Sequence, residues 1–88
     1  MSDLPTAEIF QSLAGKKFQP RGWHGSLTLD EVVTRPRQFL VIFRGPRDDV
    51  LPEGMYRFDV EGGTELEFYI MPIHTPQPTH QEYQAVFG

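Results

Sequence analysis

Three histidines, His24, His74 and His80, are the natural metal-ligand candidates in this chain, which has no cysteine. Zinc takes three or more protein ligands, usually set by helical or hairpin spacing. His74 and His80 stand in a proline-rich stretch, and His24 lies apart in Trp23-His24-Gly25. That pattern matches no ligand set, so the three are read as surface histidines and no metal or cofactor is expected. Arg47-Asp48-Asp49 could serve a metal or acid–base chemistry. Adjacent carboxylates point apart, however, and no histidine or third acid is near in sequence, so this reads as a charged loop. Asp59, Glu61, Glu65 and Glu67 fall on one hairpin. A glycosidase needs two carboxylates facing across a cleft, which a single convex hairpin does not provide. The acidic hairpin instead reads as a solvated face that could meet a basic partner. Neither Ser12 nor Ser26 sits in a Gly-x-Ser-x-Gly elbow, and no glycine-rich phosphate loop is present. The expectation is a protein that is not an enzyme.

Two other groups could carry recognition. Arg35, Arg37, Arg44 and Arg47 flank an apolar segment. Were they to converge, they would form a basic patch, with Trp23 offering a stacking surface for bases. The whole-chain charge opposes nucleic acid: 12 acids against 8 bases give −4 and a pI near 5.2. Trp23, Tyr69 and Met71 are the apolar side chains expected to be exposed. Aromatics and Met are enriched at protein interfaces. With Arg44 and Arg47 they form the expected contact set, for another protein or a second copy of the chain.

The elements that must position these residues are mostly strands. A short helix is expected over 5–14, capped by Asp3 or Thr6, with Pro5 near its start and Gly15 as its stop. Ile9, Phe10 and Leu13 give its apolar stripe. Lys17–Trp23 reads as a strand placed at a sheet edge by Pro20. Leu27 to Thr34 alternates as a half-buried strand. Arg35-Pro36-Arg37 breaks it. Phe39 to Phe43 is apolar on both parities, as in a strand covered on both faces. A loop at 45–49 and a turn at 51–54 follow. The 55–73 hairpin turns at Gly62-Gly63, with Leu66, Phe68 and Ile70 inward and Glu65, Glu67 and Tyr69 outward. Pro72 to Gln81 is an extended connection, and Glu82–Phe87 is the closing strand.

The sum is a mainly β (α+β) chain: an N-terminal helix, then a five- or six-stranded antiparallel meander curled into a small barrel or half-barrel. The helix would plug one end. The expected inward set is Ile9, Phe10, Leu13, Leu27, Leu29, Val41, Phe43, Tyr56, Phe58, Leu66, Phe68, Ile70 and Phe87. At 88 residues and 10.1 kDa the chain is expected to form one domain over 1–88. It has no apolar run of about 18 residues and no basic flank before an apolar stretch, so no membrane span or secretory signal is expected, and the location is read as cytoplasmic.

Several short motifs run through this frame. Phe43-Arg44-Gly45-Pro46 is followed by Leu51-Pro52 with Gly54 and Tyr56, then Phe68 before Pro72-Ile73, and finally Tyr83-Gln84-Ala85-Val86-Phe87. Together with Phe10, Leu13, Gly15 and Phe18 they resemble a family of small bacterial domains with no assigned activity, cofactor or catalytic residues. Glu53 stands where that pattern usually has Gln, and Gly88 where it usually has Asn. The resemblance implies an accessory or assembly role, some members being neighbours of proteins similar to phage-tail collar or tail-fibre components. The order of helix and bent strands, with Phe43-Arg44-Gly45, is also similar to Sm-like RNA-binding barrels. There the short motif lies near the C-terminus. Here over forty residues follow it, and Asp30-Glu31-Val32-Val33-Thr34 departs from the Asp-x-x-Met-Asn motif. A small-molecule or metal module at the barrel mouth is the remaining alternative.

Overall fold

The computed structural model describes residues 5–74 and 79–88. Thr6 caps the helix α1 (Ala7–Ser12), its side-chain oxygen accepting from the Ile9 N–H at 3.3 Å. The helix is shorter at both ends than its pattern suggests. Pro5 precedes the cap, and Leu13 already leaves helical geometry at φ −106° and ψ 12°. Asp3, the other cap candidate, lies outside the described residues. Phe10 is fully buried, with the rings of Phe18, Phe39, Phe68 and Phe87 5.2–6.3 Å away. The helix therefore plugs one end of the fold, as its apolar stripe requires.

Six strands follow among the described residues: β1 (Lys17–Pro20), β2 (Leu27–Thr34), β3 (Phe39–Gly45), β4 (Gly54–Val60), β5 (Glu65–Ile73) and β6 (Gln81–Phe87). They close into an antiparallel barrel in the order β1-β2-β3-β6-β5-β4. Each half, β1-β2-β3 and β4-β5-β6, is a meander, but β3 and β4 are not neighbours. The 46–53 loop carries the chain across one barrel end, and β6 pairs with both β3 and β5. Closure removes both sheet edges, which a simple open meander would leave exposed.

Closure also corrects the edge position expected for β1, which pairs with β2 and with β4. Pro20 is tolerated because it ends the strand. The β1–β2 pairing is Lys17↔Thr28 and Phe18↔Leu27, so the missing N–H of Pro20 breaks no bond to β2. β3 is likewise not covered on both faces. Val41 and Phe43 are buried, while Leu40 and Ile42 point outward and are half-buried. A bulge between Leu29 and Glu31 adds one residue to β2, so that both Leu29 and Val32 face inward. The β4–β5 hairpin turns through Gly62 and Gly63, both at positive φ (101° and 102°), as the paired glycines require. Its loop is three residues long, with the Val60 N–H bonded to Thr64 O at 2.7 Å.

The core is built on phenylalanine. Phe58 stacks on Phe68 at 4.3 Å, and Phe43 on Phe68 at 5.8 Å. Fully burying one such side chain stabilises a fold by about 1.5–3 kcal/mol. Phe18, Leu51, Val60, Tyr83 and Ala85 join the expected inward set, whereas Ile9, Tyr56, Leu66 and Phe87 are only partly buried. No helix among the described residues is long and apolar enough to cross a membrane.

Candidate protein interface on the outer barrel wall

Because Phe68 and Ile70 point into the barrel, strand parity turns Tyr69 and Met71 outward on β5. Register then places their neighbours. Met55 pairs with Tyr69, Met71 with Gln84, Gln84 with Ile42, and Leu40 with Val86. Cross-strand neighbours on one face lie about 5 Å apart. A largely apolar stripe, interrupted by Gln84 on β6, therefore wraps from β4 over β5 and β6 to β3. Met55 is 60%, Tyr69 43% and Val86 50% exposed, which makes these the prominent apolar side chains of the wall. The Tyr69 hydroxyl donates to the Glu53 carboxylate, and Gln84 Nε2 lies 3.7 Å from the Met71 sulfur. The Tyr69 phenol is held above its ordinary pKa, chiefly because the neutral hydroxyl makes that bond, then through desolvation and the charge of Glu53. Glu31 beside Ile42, Glu67 beside Arg57 and Glu82 beside Ile73 border the stripe.

The rest of the β4–β5 wall is charged, but it is not the bare acidic face read from sequence. Arg21 grips Asp59 through two bonds, Nη2–Oδ1 at 2.8 Å and Nε–Oδ2 at 3.1 Å, and reaches Glu65 at 3.1 Å. Arg57 lies 3.6 Å from Glu67. The Arg21 hydrogen bonds hold the Asp59 carboxyl below its usual 3.8, with desolvation opposing and the charges of Arg21 and Arg57 assisting. A depressed carboxyl contributes stability above its unfolded pKa, and that contribution is lost as pH falls through the folded value. Arg21→Gln is accordingly expected to return the Asp59 titration upward, read by side-chain carbon NMR. An unmoved Asp59 would mean that Arg21 does not set it.

The other expected contact residues scatter. Trp23 is half-buried rather than exposed. It leaves the sheet after β1, packs on the core, and holds its ring where a Cβ on Gly25 would come within 2.8 Å of its Cη2. Tyr69 and Met71 share a strand face, but Met71, like Trp23, is half-buried rather than exposed, and Trp23 is not on that face. Arg44 is the penultimate residue of β3, with Nε 3.4 Å from Asp30 Oδ1. Arg47 sits exposed on the 46–53 loop with a contact of its own. Arg35 and Arg37 lie at the opposite end of β3 from Arg44, about 20 Å away at roughly 3.4 Å per residue. The four arginines therefore form no single basic patch.

Nor do the histidines form a metal-ligand set among the described residues. His24 contacts Asp49, His80 approaches Glu82 at 3.4 Å and Thr79 at 3.0 Å, and His74 is exposed at the end of β5. Among the described residues no three His, Asp or Glu groups are placed to hold a metal. The expected extended connection over 72–81 is shorter at both ends, since Pro72 and Ile73 belong to β5 and Gln81 to β6, and its Thr75 to Pro78 part lies outside the described residues.

The short sequence motifs meet at one barrel end. Tyr83 is fully buried, and its hydroxyl accepts the Leu51 N–H at 2.8 Å. Burial raises the Tyr83 pKa, the Leu51 bond opposes that rise, and the charge of Asp49 adds to it. The Tyr56 hydroxyl donates to Pro52 O at 2.7 Å, which pins the other end of the same loop. Gly45 is not at positive φ, so no left-handed conformation requires a glycine here. A Cβ there would come within 2.6 Å of Leu27 Cδ2 and 3.1 Å of Tyr83 Cε1. The motifs thus hold the β3–β4 crossing in place. No curated protein and no solved structure matches the chain. A family model matches residues 5–87, from the residue before the helix cap to the end of β6, and the chain belongs to that family, described as domain of unknown function DUF6916.

Proposed function

We propose that this domain is a non-enzymatic protein-binding module that works as an accessory or assembly part of a larger complex. The observation that supports the reading is the apolar stripe of Met55, Tyr69, Met71, Val86, Leu40 and Ile42 on the outside of a closed barrel. Exposed apolar surface of this kind, rimmed by polar groups, is characteristic of interaction sites. A closed barrel offers no free edge for strand addition, so the partner docks side chain to side chain. Glu31, Glu53 and Glu82 around the stripe favour a partner with an apolar centre and a basic rim. A tail- or surface-fibre-type assembly is the setting that the motif resemblance suggests.

Tyr69→Ala tests the reading. An exposed truncation away from the core shifts stability by about 0.5 kcal/mol or less, so the unfolding midpoint should hold. Loss of a central interface aromatic weakens association by about 2 kcal/mol or more. Unchanged partner binding and hydrodynamic mass in this variant would overturn the proposal.

A further inference from the structure

A cavity of about 270 Å³ opens at the helix-plugged end of the barrel, away from the 46–53 loop, and Arg35, Arg37, Gln38, Phe39 and Phe87 line it. Its floor is aromatic. Phe39 and Phe87 stack at 4.8 Å with 12° between their planes, and both rest near Phe10. Its rim is cationic. The turn between β2 and β3 is tight, closed by the Arg35 N–H on Gln38 O at 2.8 Å, with Pro36 between the two arginines. Arg21, Arg44 and Arg57 are each paired to a carboxylate, and Arg47 is engaged. Neither Arg35 nor Arg37 has an acid partner among the described residues. In a chain of net charge −4, two arginines with no acid partner among the described residues therefore line the same cavity as the stacked rings.

We propose that this cavity binds a small aromatic carboxylate. A guanidinium presents a planar fork that matches a carboxylate through two parallel bonds. The Phe39–Phe87 pair presents ring faces and edges to a flat apolar body. The volume lies just below the usual range of ligand pockets, roughly 300–1,000 Å³, so it suits one ring bearing one acid group. The site is open and its arginines are exposed, so exchange is fast and the affinity modest. It is separate from the outer stripe and independent of the partner proposed for it.

The test is a ¹H–¹⁵N NMR titration of the full chain with benzoate, and with benzamide as its neutral counterpart. Benzoate is expected to give saturable shifts of the Gln38, Phe39 and Phe87 amides, and benzamide at least tenfold weaker ones, about one decade in Kd. Arg35→Gln/Arg37→Gln should remove the benzoate response while the rest of the spectrum stays dispersed. Arg37→Lys, which keeps charge but loses the fork, should fall between. Absence of saturable benzoate shifts at Phe39 and Phe87, or an equal response to benzamide, would overturn the proposal whatever the variants do. So would wild-type binding by the folded double variant.

Discussion

Phe10→Ala is expected to destabilise the domain by about 3–5 kcal/mol, the range for truncating a buried aromatic. Domains have only about 5–15 kcal/mol in total, and one of this size has a correspondingly small core. The substitution should therefore leave the chain near its unfolding threshold. The reason is local. Phe10 is the buried side chain of α1, and it touches rings contributed by β1, β3, β5 and β6. Removing it opens a cavity where four strands meet and releases the helix from the barrel end. Urea unfolding gives the number, and Phe10→Leu should lose much less because most of the volume remains. A loss below about 1 kcal/mol for Phe10→Ala would mean that the helix is a dispensable lid rather than part of the core.

Gly45→Ala should cost about 1–3 kcal/mol, the range for forcing extra atoms into a packed interior. The added methyl would overlap Leu27 Cδ2 and crowd the Tyr83 ring. Leu27 and Tyr83 are both fully buried, so neither can move aside freely. Backbone strain is not the cause, since Gly45 is not among the positive-φ glycines. Contact as the mechanism has a signature. Leu27→Ala removes the overlapping methyl, so the Leu27→Ala/Gly45→Ala pair should be less destabilising than the sum of the single variants. Strict additivity, measured by denaturant unfolding, would contradict the packing explanation.

The elements were legible where one local rule decides. Alternation around Gly62-Gly63 located the β4–β5 hairpin and turned Tyr69 outward, and the spacing of Phe10 and Leu13 located the helix and its buried face. What failed depends on contacts distant in sequence. Pro20 suggested an edge because nothing local shows that β1 closes the barrel against β4. Leu51 lies in a loop with no periodicity, so its burial follows only from the Tyr83 hydroxyl 32 residues away. Gly45 falls in the loop expected over 45–49, and its role appears only once Leu27 and Tyr83 are brought against it. Trp23 is expected to be exposed but packs back onto the core. The outer stripe was half visible. Tyr69 and Met71 share a strand, but Val86, Leu40 and Ile42 join them only through the β3–β6 and β5–β6 pairings. Leu40 and Ile42 had a plain sequence signal, an apolar run on both parities, but it pointed equally to a second packed layer.

Binding of a protein by the outer wall of the barrel can be measured directly. Tagged native chain and Tyr69→Ala should be used in parallel to capture partners from lysate of the native host, each with and without nuclease. The expected result is a stoichiometric protein held by the native chain, resistant to nuclease, and lost or strongly reduced with Tyr69→Ala. Equal retention by the folded variant would remove the stripe from the interaction. Recovery of nucleic acid, with the accompanying proteins lost on nuclease treatment, would instead make the domain a nucleic-acid binder and overturn the protein-binding wall.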